Sequence, residues 1–348
     1  MDFDEFIREW SRHSPSMTVK TSGSTGKPKE IELSREFVIA SAQRTNRFFA
    51  IGQESHLHSC VGADFIGGKM MAVRALISNA LFTWEEPSNR PFSHLPENRY
   101  PEGITLLAIV PSQMIWILDH QEEMPQIHNI IIGGSAIHPD LRRRIAESGL
   151  RAYETYGMTE TASHIALREI DNTTEWFSTL PGITVSTDER DCLVIHFHSP
   201  DMDNTEVKSS STSTPYKVVT NDLAILDGEK RFRITGRYDH MIITGGKKVN
   251  PFDLENKIQN AIATDPAVAS LLPGEFLITS APDTKWGEKI VLMIATGEDL
   301  SLRDNHQIIE CLKRHLLSHE VPKEILTVNQ LPRTANGKLL RRLPASHE

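Results

Sequence analysis

The sequence predicts an α/β fold with a large N-terminal domain and a smaller α+β domain at the C-terminal end. In the N-terminal part, apolar runs such as ITLLAIV (104–110) and HNIIIGG (128–134) alternate with segments of helical periodicity, which is typical of parallel strands covered on both faces. After residue 190 the pattern changes to short alternating strands separated by turns. Beyond Arg237 it changes again, to a compact set of helices and strands.

The N-terminal part alternates between predicted helices and strands. Two of the helices begin at Pro111 and Pro139, and proline is favoured in a first turn because its missing N–H costs nothing there. Ligands of parallel sheets bind at the carboxyl ends of the strands, so the glycines at 133–134 and 157 mark a candidate site. The predicted elements are helix 1–12, helix 34–50, a loop and then a helix within 64–82, strand 104–110, helix 111–118, strand 128–134, helix 139–148 and strand 151–157.

The C-terminal part predicts two different units. A small antiparallel β unit comprises LVIHFH (193–198) and the short strands YKVVT, LAIL and RFRIT between 216 and 235; the polar segment 199–215 between them predicts a mobile surface loop. The domain boundary is predicted near Tyr238–Asp239, which gives domains 1–238 and 239–348. The second domain is predicted to contain helix 252–263, strands 276–280 and 289–295, helix 302–316 and strand 324–328.

Composition and charge exclude several classes of protein. The 348 residues carry a net charge of −9, which disfavours the wrapping of a nucleic-acid backbone. No apolar run approaches the ~18 residues of a membrane span, and the acidic start MDFDEFIREW lacks the features of a secretory signal. The three cysteines, Cys60, Cys192 and Cys311, are too far apart for a disulfide framework or a clustered metal site, so we expect a cytoplasmic protein.

The segment TSGSTGKPK (21–29) is rich in hydroxyl groups, glycines and lysines. Small residues let backbone N–H groups converge on phosphate oxygens, and the lysines add positive charge. Only two residues separate Gly23 from Gly26 and Pro28 follows Lys27, so the spacing of a Walker A loop is absent. A surface Ser/Gly linker is the alternative interpretation of this segment taken alone.

Five motifs in order make the segment more specific. TSGSTGKPK is followed by YETYGMTET (153–161), Thr220-Asn221-Asp222, GRYDHMIITGGKKVNPFDLE (236–255) and PRTANGKLLRR (332–342). Together they resemble the signatures of the adenylate-forming superfamily of acyl-CoA synthetases, adenylation domains and luciferases. Because the motifs span residues 21–342, the resemblance covers nearly the whole chain.

The resemblance implies an AMP-forming acid–thiol ligase that uses ATP, Mg²⁺ and coenzyme A, and it assigns a role to each motif. A single carboxylate, Glu160, would bind Mg²⁺, which accepts few protein ligands. The implied phosphate-binding residues are Thr21, Ser22, Gly23, Ser24, Thr25, Gly26 and Lys27; the nucleotide-binding residues are Gly133, Gly134, Ser135, Tyr156, Gly157, Asp222 and Arg237; and the catalytic residues are Thr159, Glu160 and Lys338.

The same resemblance implies two half-reactions. Lys338 would bridge the substrate carboxylate and the α-phosphate, as suits a compact charge on a flexible stem. The C-terminal domain would then rotate about a hinge at Asp239, so that Gly245 and Gly246 line a channel for the thiol arm of coenzyme A. We therefore expect the small domain to be mobile.

Two segments narrow the substrate. YGMTETASHIALR (156–168) and DFIGGKMMAVRAL (64–76) resemble the short o-succinylbenzoate–CoA ligases of menaquinone biosynthesis, which act on an aromatic carboxylate. Polar Ser163 and His164 suit a second carboxylate or a keto group, although a surface or core histidine is an equal alternative for His164. The acyl pocket implied by this resemblance comprises Phe65, Gly67, Gly68, Ser135, Met158, Ser163 and His164.

Other histidines carry less information. His56 and His58 share a face of an extended segment, but no acidic or cysteine partner at metal-ligand spacing accompanies them in the sequence. His196 and His198 are interpreted as one face of a strand.

The position of the phosphate loop departs from the family pattern. The loop begins twenty residues into the sequence, so we expect the usual N-terminal subdomain to be missing or reduced, and a homo-oligomer is one way to cover the exposed side. Two alternatives to the o-succinylbenzoate prediction stay open. One is another acyl- or aryl-CoA ligase or a stand-alone adenylation enzyme. The other is an inactive nucleotide-binding homologue acting as a sensor or partner, against which the intact Glu160, Asp222, Arg237 and Lys338 argue.

Overall fold

A computed structural model describes most of the chain. The glycine-rich loop 21–29, the polar segment 199–215 and Lys338 lie outside the described residues. Within the described part, no helix combines the length and the apolar character that crossing a bilayer requires. The described residues are 2–20, 30–93, 103–171, 173–198, 216–272, 275–296, 301–333 and 339–344.

The helices begin where the sequence supplies caps. Asp2 accepts the N–H of Glu5 at the start of the first helix, Ser34 accepts that of Phe37 at the second, and prolines occupy the first turn of several others. The helices are α1 (Phe3–Ser11), α2 (Arg35–Phe48), α3 (Ile66–Ser78), α4 (Pro111–Asp119), α5 (Pro139–Glu147), α6 (Pro251–Thr264), α7 (Pro266–Leu271) and α8 (Leu302–Leu312).

The strands include several that the sequence did not reveal, chiefly short ones without clear alternation. They are β1 (Ser16–Lys20), β2 (Glu30–Ser34), β3 (His56–Ser59), β4 (Leu81–Trp84), β5 (Leu106–Ile109), β6 (Ile130–Ile132), β7 (Ala152–Gly157), β8 (His164–Glu169), β9 (Phe177–Thr179), β10 (Ile183–Thr187), β11 (Cys192–Phe197), β12 (Lys217–Leu226), β13 (Arg231–Arg237), β14 (Ile242–Thr244), β15 (Lys247–Val249), β16 (Phe276–Asp283), β17 (Gly287–Ala295) and β18 (Glu324–Val328).

Two predicted boundaries are wrong for physical reasons. The helix predicted within 64–82 ends at Ser78, because Asn79 adopts a left-handed conformation with φ of 54° and the chain then enters β4. YKVVT and LAIL form one ten-residue strand, β12, rather than two. The Asn221-Asp222 pair between them lies within this strand, and the Thr220 hydroxyl accepts the N–H of Asp222 at 3.0 Å.

One mixed sheet of eleven strands has the order β10-β11-β12-β13-β9-β8-β7-β6-β5-β3-β4. The pairings from β4 through β3, β5 and β6 to β7 are parallel, and those of β7 with β8, β8 with β9 and β9 with β13 are antiparallel. The predicted α/β class is therefore confirmed. The strands predicted as a small antiparallel unit continue the same sheet instead of standing apart.

Helix α3, which contains two residues of the predicted acyl pocket, is largely buried. Its residues from Gly68 to Ala75 are all buried, and Met70, Ala72 and Val73 pack in one core cluster with Phe3 and Phe6 of α1. A Cβ atom on Gly68 would lie 2.3 Å from the carbonyl oxygen of Gly62, so the loop before α3 packs directly on the helix backbone.

The chain divides into two compact units by its internal contacts. The first comprises residues 1–186, 194–218 and 226–233, and the second comprises 187–193, 219–225 and 234–348. In the second unit β15, β14, β17 and β16 form an antiparallel sheet, and β18 pairs with β17 in parallel. The domain boundary between residues 238 and 239 stays a prediction.

Candidate active site

A tight turn after β7 presents two predicted catalytic residues. Thr159 is half-buried and Glu160 is exposed in a single 3₁₀ turn that ends at Thr161. The Thr161 hydroxyl accepts the N–H of Met158 at 2.9 Å and donates to the carbonyl oxygen of Ser163 at 2.7 Å. The turn is thus fixed by its own side chain, which leaves Thr159 and Glu160 available to a ligand.

The start of this turn requires glycine at position 157 for a steric reason. A Cβ atom there would lie 2.3 Å from the carbonyl oxygen of Ser163 and 2.5 Å from the Cα of His164. The pairing of β7 with β8 also shifts register between Tyr156 and Gly157. Since any side chain would push the turn away from β8, glycine is required by the close approach of two backbones.

Tyr216 supports Glu160, a contact that sequence reasoning missed because no motif marks this residue. Its phenol donates a hydrogen bond to the backbone carbonyl of Glu160 at 3.2 Å, and its ring contacts Phe37 and Phe197 at centroid distances of 5.0 and 5.4 Å. Burial and the charge of Glu160 raise the pKa of the Tyr216 phenol, which keeps it a donor. The exposed carboxylate of Glu160 is an oxygen ligand of the type that Mg²⁺ binds together with phosphate oxygens and water.

The segment predicted to lie against adenine follows β6, whose neighbour is β7. Gly133 donates its N–H to the carbonyl oxygen of Ile109, and Gly134 has a φ of +92° that favours glycine. The half-buried Tyr156 ring contacts Phe232 at a centroid distance of 5.1 Å, edge to face. Gly133, Gly134, Ser135 and Tyr156 therefore come from the carboxyl ends of two adjacent parallel strands, where ligands of such sheets bind.

The residues predicted to bind ribose meet in the second unit. The Arg237 guanidinium donates from Nη1 to Asp222 Oδ1 at 3.1 Å, and from Nε and Nη2 to the two carboxylate oxygens of Asp239 at 2.9 and 2.7 Å. Thr220 and Asp222 are both buried on the same face of β12. The structure thus brings the predicted sugar ligands and the predicted hinge residue into one ion-pair network.

The charge state of Asp239 follows from this network. Burial opposes its ionisation, but the hydrogen bond and the positive charge of Arg237 outweigh burial and lower the pKa of the Asp239 carboxyl. Asp239 is therefore ionised at neutral pH, and a single guanidinium is shared between Asp222 and Asp239.

The predicted coenzyme A residues form a hairpin turn. Gly245 and Gly246 join β14 to β15 with φ angles of 56° and 73°, as a two-residue turn of this kind requires. A Cβ atom on Gly245 would lie 2.8 Å from the Trp286 ring, whose backbone carbonyl accepts the N–H of Gly245 at 2.8 Å. The turn needs both glycines for structural reasons, and the role in a thiol channel stays a prediction.

The residues predicted for the acyl pocket differ in exposure. Ser163, His164 and Gly68 are buried, Met158, Gly67 and Ser135 are half-buried, and Phe65 is exposed. The His164 ring lies with Nε2 at 2.9 Å from Thr45 Oγ1 of α2. Burial and the nearby charge of Arg74 lower the pKa of His164 well below its usual value, so its imidazole is neutral.

Arg74 of α3 is a functional candidate that the sequence analysis missed. It is 1% exposed, and it donates from Nη2 to Ser163 Oγ at 2.5 Å and from Nη1 to Met71 Sδ at 3.5 Å. Its Nε is buried without a hydrogen-bond partner among the described residues. A charged residue within the apolar run KMMAVRALI was the available signal.

The electrostatic environment of Arg74 is unusual. No carboxylate of the described residues lies within ion-pair distance of its guanidinium, and burial lowers its pKa to about 9. A buried cation without an anion is costly, because desolvation is not repaid. Arg74 with Ser163 and the neutral His164 is therefore a site that an anionic or carbonyl group of a ligand would complete.

Several known proteins are similar to this chain. A 2-succinylbenzoate–CoA ligase of Bacillus cereus (strain Q1) is 24% identical over 360 residues, covering 97% of this chain and 72% of the relative. A crystal structure of an AMP-forming acyl-CoA synthetase/AMP-acid ligase II-like protein from Dyadobacter fermentans DSM 18053 is 26% identical, with a TM-score of 0.58 and coverage of 96% and 90%. O-succinylbenzoate coenzyme A synthetase from Bacillus subtilis, solved with ATP and magnesium ion, shares the fold with a TM-score of 0.70, 21% identity and coverage of 93% and 68%.

Two family models match the chain itself. The model described as AMP-binding enzyme C-terminal domain matches residues 257–338. The model described as AMP-binding enzyme matches residues 6–190, which are 185 of the 348 residues and thus more than half of the chain. The resemblance inferred from the five motifs is thereby confirmed. The chain belongs to the AMP-binding enzyme family.

Proposed function

We propose that this chain is an AMP-forming carboxylate–CoA ligase whose acid is aromatic and carries a second anionic group, with o-succinylbenzoate as the first choice. Family membership and the named relatives support the acid–thiol ligase class. The observation that carries the choice of acid is the buried Arg74 beside Ser163 and His164. On this proposal the protein acts in menaquinone biosynthesis.

In the first half-reaction, a carboxylate oxygen of the acid attacks the α-phosphorus of ATP and pyrophosphate leaves. Negative charge develops on the α-phosphate oxygens, so fixed donors there lower the barrier. The hydroxyl of Thr159 is proposed to donate to these oxygens, and Lys338 to bring a positive charge between the two reacting groups. Residues 21–27 would hold the departing pyrophosphate. Mg²⁺ held by Glu160 would supply neutralisation of phosphate charge.

The nucleoside would be positioned by groups on the strands. An ionised Asp222 is an acceptor only, and its two oxygens suit the two ribose hydroxyls. Arg237 would donate to the same sugar from the guanidinium that it now shares with Asp239. Tyr156 and the segment 133–135 would contact the base.

In the second half-reaction, the thiol sulfur of coenzyme A attacks the acyl carbon, the thiol loses its proton and AMP leaves with the bonding electrons. Lys338 would obstruct a bulky thiol at that carbon, so the C-terminal domain is proposed to rotate about Asp239 between the two steps. The hairpin turn at Gly245 and Gly246 would then face the pantetheine arm without side chains in its path.

On this proposal, the charge of Arg74 selects an acid that carries a second anionic group. A second carboxylate of the acid that accepts from Arg74 and from the Ser163 hydroxyl would neutralise the buried cation and gain charge-assisted hydrogen bonds. A neutral His164 could donate to a keto oxygen without adding a second positive charge. An acid with an apolar tail would leave the guanidinium unpaired, and the buried cation would then count against its binding.

A pyrophosphate-release screen tests the proposal. The purified protein is supplied with ATP, Mg²⁺ and single acids, with o-succinylbenzoate compared with benzoates and phenylbutanoates that lack the second carboxylate, each with and without coenzyme A. We expect o-succinylbenzoate to give the highest kcat/KM and to form a coenzyme A thioester. Absence of ATP-dependent pyrophosphate release with o-succinylbenzoate would refute the first choice.

The screen also separates the open alternatives. Turnover of a different acid to its thioester would indicate another acyl- or aryl-CoA ligase, and pyrophosphate release that never leads to a thioester would indicate an enzyme that loads a carrier protein. ATP binding without turnover of any acid would indicate an inactive nucleotide-binding homologue.

A further inference from the structure

A second group of ligand-type side chains lies at the end of β3, apart from the residues assigned above. The parallel register pairs His58 with Thr83 and Ser59 with Trp84, so the next residues, Cys60 and Glu85, lie opposite each other. Side chains alternate along a strand, which places His58, Cys60, Thr83 and Glu85 on one face of the sheet.

The three ionisable side chains of this group are close together and buried. One ligand atom from each of His58, Cys60 and Glu85 lies within 4.8 Å of the other two. The His58 side chain is fully buried, Cys60 is 1% exposed, and the Glu85 side chain is 12% exposed, with 4.0 Å between His58 Nε2 and Glu85 Oε1. The separation between imidazole and carboxylate is too long for a direct hydrogen bond.

Neighbouring groups orient each ligand atom. Thr83 Oγ1 lies 2.8 Å from His58 Nδ1 and 2.7 Å from His56 Nε2, so Thr83 fixes the ring of His58 and leaves Nε2 directed toward Glu85. The backbone N–H of Phe92 donates to both oxygens of Glu85 at 3.3 and 3.1 Å, and the Phe92 ring stacks on His58 at 5.1 Å. Metal-binding histidines characteristically have their other ring nitrogen held in this way.

We propose that His58 Nε2, Cys60 Sγ and the Glu85 carboxylate form a three-ligand site for a zinc-class divalent transition metal. A thiolate and an imidazole select such a metal over Mg²⁺, which prefers oxygen ligands. Metal bonds of about 2.0–2.3 Å put neighbouring ligands of a tetrahedral site about 3.3–3.7 Å apart, so side-chain movements of about 1 Å close the group around an ion. A water molecule takes the fourth position.

Metal binding at this site must displace a proton from Cys60. Burial opposes the ionisation of Glu85, but the Phe92 N–H and the neighbouring His58 and Cys60 side chains outweigh burial and lower the pKa of its carboxyl. Burial and the charge of Glu85 raise the pKa of the Cys60 thiol, which therefore stays protonated until the metal displaces its proton into solvent. The expectation that no acidic or cysteine partner accompanies His58 is wrong, because Cys60 lies two residues further along the same segment and the parallel pairing of β3 with β4 brings Glu85 beside them.

Cobalt(II) titration of the full-length, chelator-treated protein tests the site directly. We expect one equivalent of Co²⁺ to produce a thiolate-to-cobalt charge-transfer absorption, which one equivalent of Zn²⁺ then removes. Cys60→Ser should abolish the absorption and lower the Zn²⁺ affinity at least about 100-fold. Thr83→Val should lower the Zn²⁺ affinity about 10- to 100-fold. Cys192→Ser, a change at another buried cysteine, is the matched control and should behave as wild type.

The outcome does not depend on the ligase assignment, because the titration needs neither ATP nor acid. Absence of a charge-transfer absorption in the wild-type protein overturns the site even if a variant fails to fold. An absorption that persists in Cys60→Ser, or that disappears in Cys192→Ser, also overturns it. A rise in thermal midpoint with Zn²⁺ in wild type that is lost in Cys60→Ser supports it.

Discussion

Replacing Arg74 by methionine should weaken the preference for an acid with a second carboxylate, while the free energy of unfolding stays the same or rises. Methionine keeps an unbranched apolar side chain within α3, shorter than arginine, and removes the guanidinium with its contacts to Ser163 and Met71. The Arg74 backbone carbonyl, which accepts from Asn46 Nδ2 at 2.9 Å, is unaffected. The variant therefore tests the charge and the hydrogen bond to Ser163, with little other change.

The magnitude follows from the burial of the pair that substrate would complete. Removing one partner of a buried ion pair costs about 3–5 kcal/mol, because the other charge stays buried and unpaired. Converted at 1.4 kcal/mol per factor of ten, kcat/KM for o-succinylbenzoate should fall about 100- to 4,000-fold. An analogue without the second carboxylate loses no ion pair, so its kcat/KM should change less than about threefold.

Stability should respond differently. The unliganded wild type carries a buried cation whose charge no described carboxylate neutralises, and the methionine variant does not. The hydrogen bond to Ser163 is worth about 1–2 kcal/mol, which offsets part of the relief. We expect the free energy of unfolding of Arg74→Met to equal or exceed that of wild type.

The assay measures initial rates of pyrophosphate release below KM for both acids, with urea unfolding in parallel. Lys69→Met is the matched control, since Lys69 is a second buried cation of α3 whose ammonium instead lies 5.0 Å from the Phe6 ring. Equal losses with both acids, or an unchanged ratio of their kcat/KM values, would refute the assignment of Arg74 to the second carboxylate.

Four further predictions address other parts of the site. Lys338→Ala should abolish adenylation yet leave thioester formation from supplied acyl-adenylate largely intact, and equal loss of both steps in single-turnover assays would contradict the two-step scheme. Tyr216→Phe should lower kcat about 3- to 10-fold through loss of the hydrogen bond to Glu160, whereas unchanged kcat would show that this contact is dispensable. Gly157→Ala should reduce the free energy of unfolding by at least about 2 kcal/mol, because its Cβ would overlap backbone atoms; a two-state urea transition at the wild-type midpoint would be inconsistent with this packing. The pKa of Asp239 is lower in the folded protein than its unfolded value near 4, so the ionised carboxylate stabilises the fold above about pH 4. The loss in free energy of unfolding caused by Asp239→Asn, measured with urea, should therefore be full at neutral pH and should shrink as the pH falls through the folded pKa. A loss that does not depend on pH would argue against the ion pair with Arg237.

Local sequence determined the family and much of the α/β order. The five motifs are short and contiguous, so their resemblance needed no tertiary information, and the family models confirm it. Buried apolar runs and first-turn prolines likewise located β5, β6, α4 and α5. The end of α3 was missed because it depends on a left-handed Asn79, a conformation that many asparagines do not adopt.

The remaining features depend on contacts between distant residues. Arg74 and Ser163 are 89 positions apart, and only the fold shows that the guanidinium reaches the hydroxyl rather than solvent. Cys60 and Glu85 become neighbours through the pairing of two short strands, β3 and β4, and β4 begins within the stretch 64–82 where the sequence predicted a helix. Tyr216, which immediately precedes β12, reaches Glu160 from 56 positions away.

The close approach at Gly157 has a consequence for how such an enzyme could change its substrate. Thr159 and Glu160 lie in the turn that ends at Thr161, and Ser163 and His164 follow it after one residue, with their backbone close to Gly157. If these residues have the proposed roles, adapting Ser163 or His164 to a new acid would also disturb Thr159 and Glu160, because all four lie in the hairpin between β7 and β8. Helix α3 carries none of the residues proposed to contact phosphate, so a change of acid specificity disturbs adenylation least when it occurs in α3.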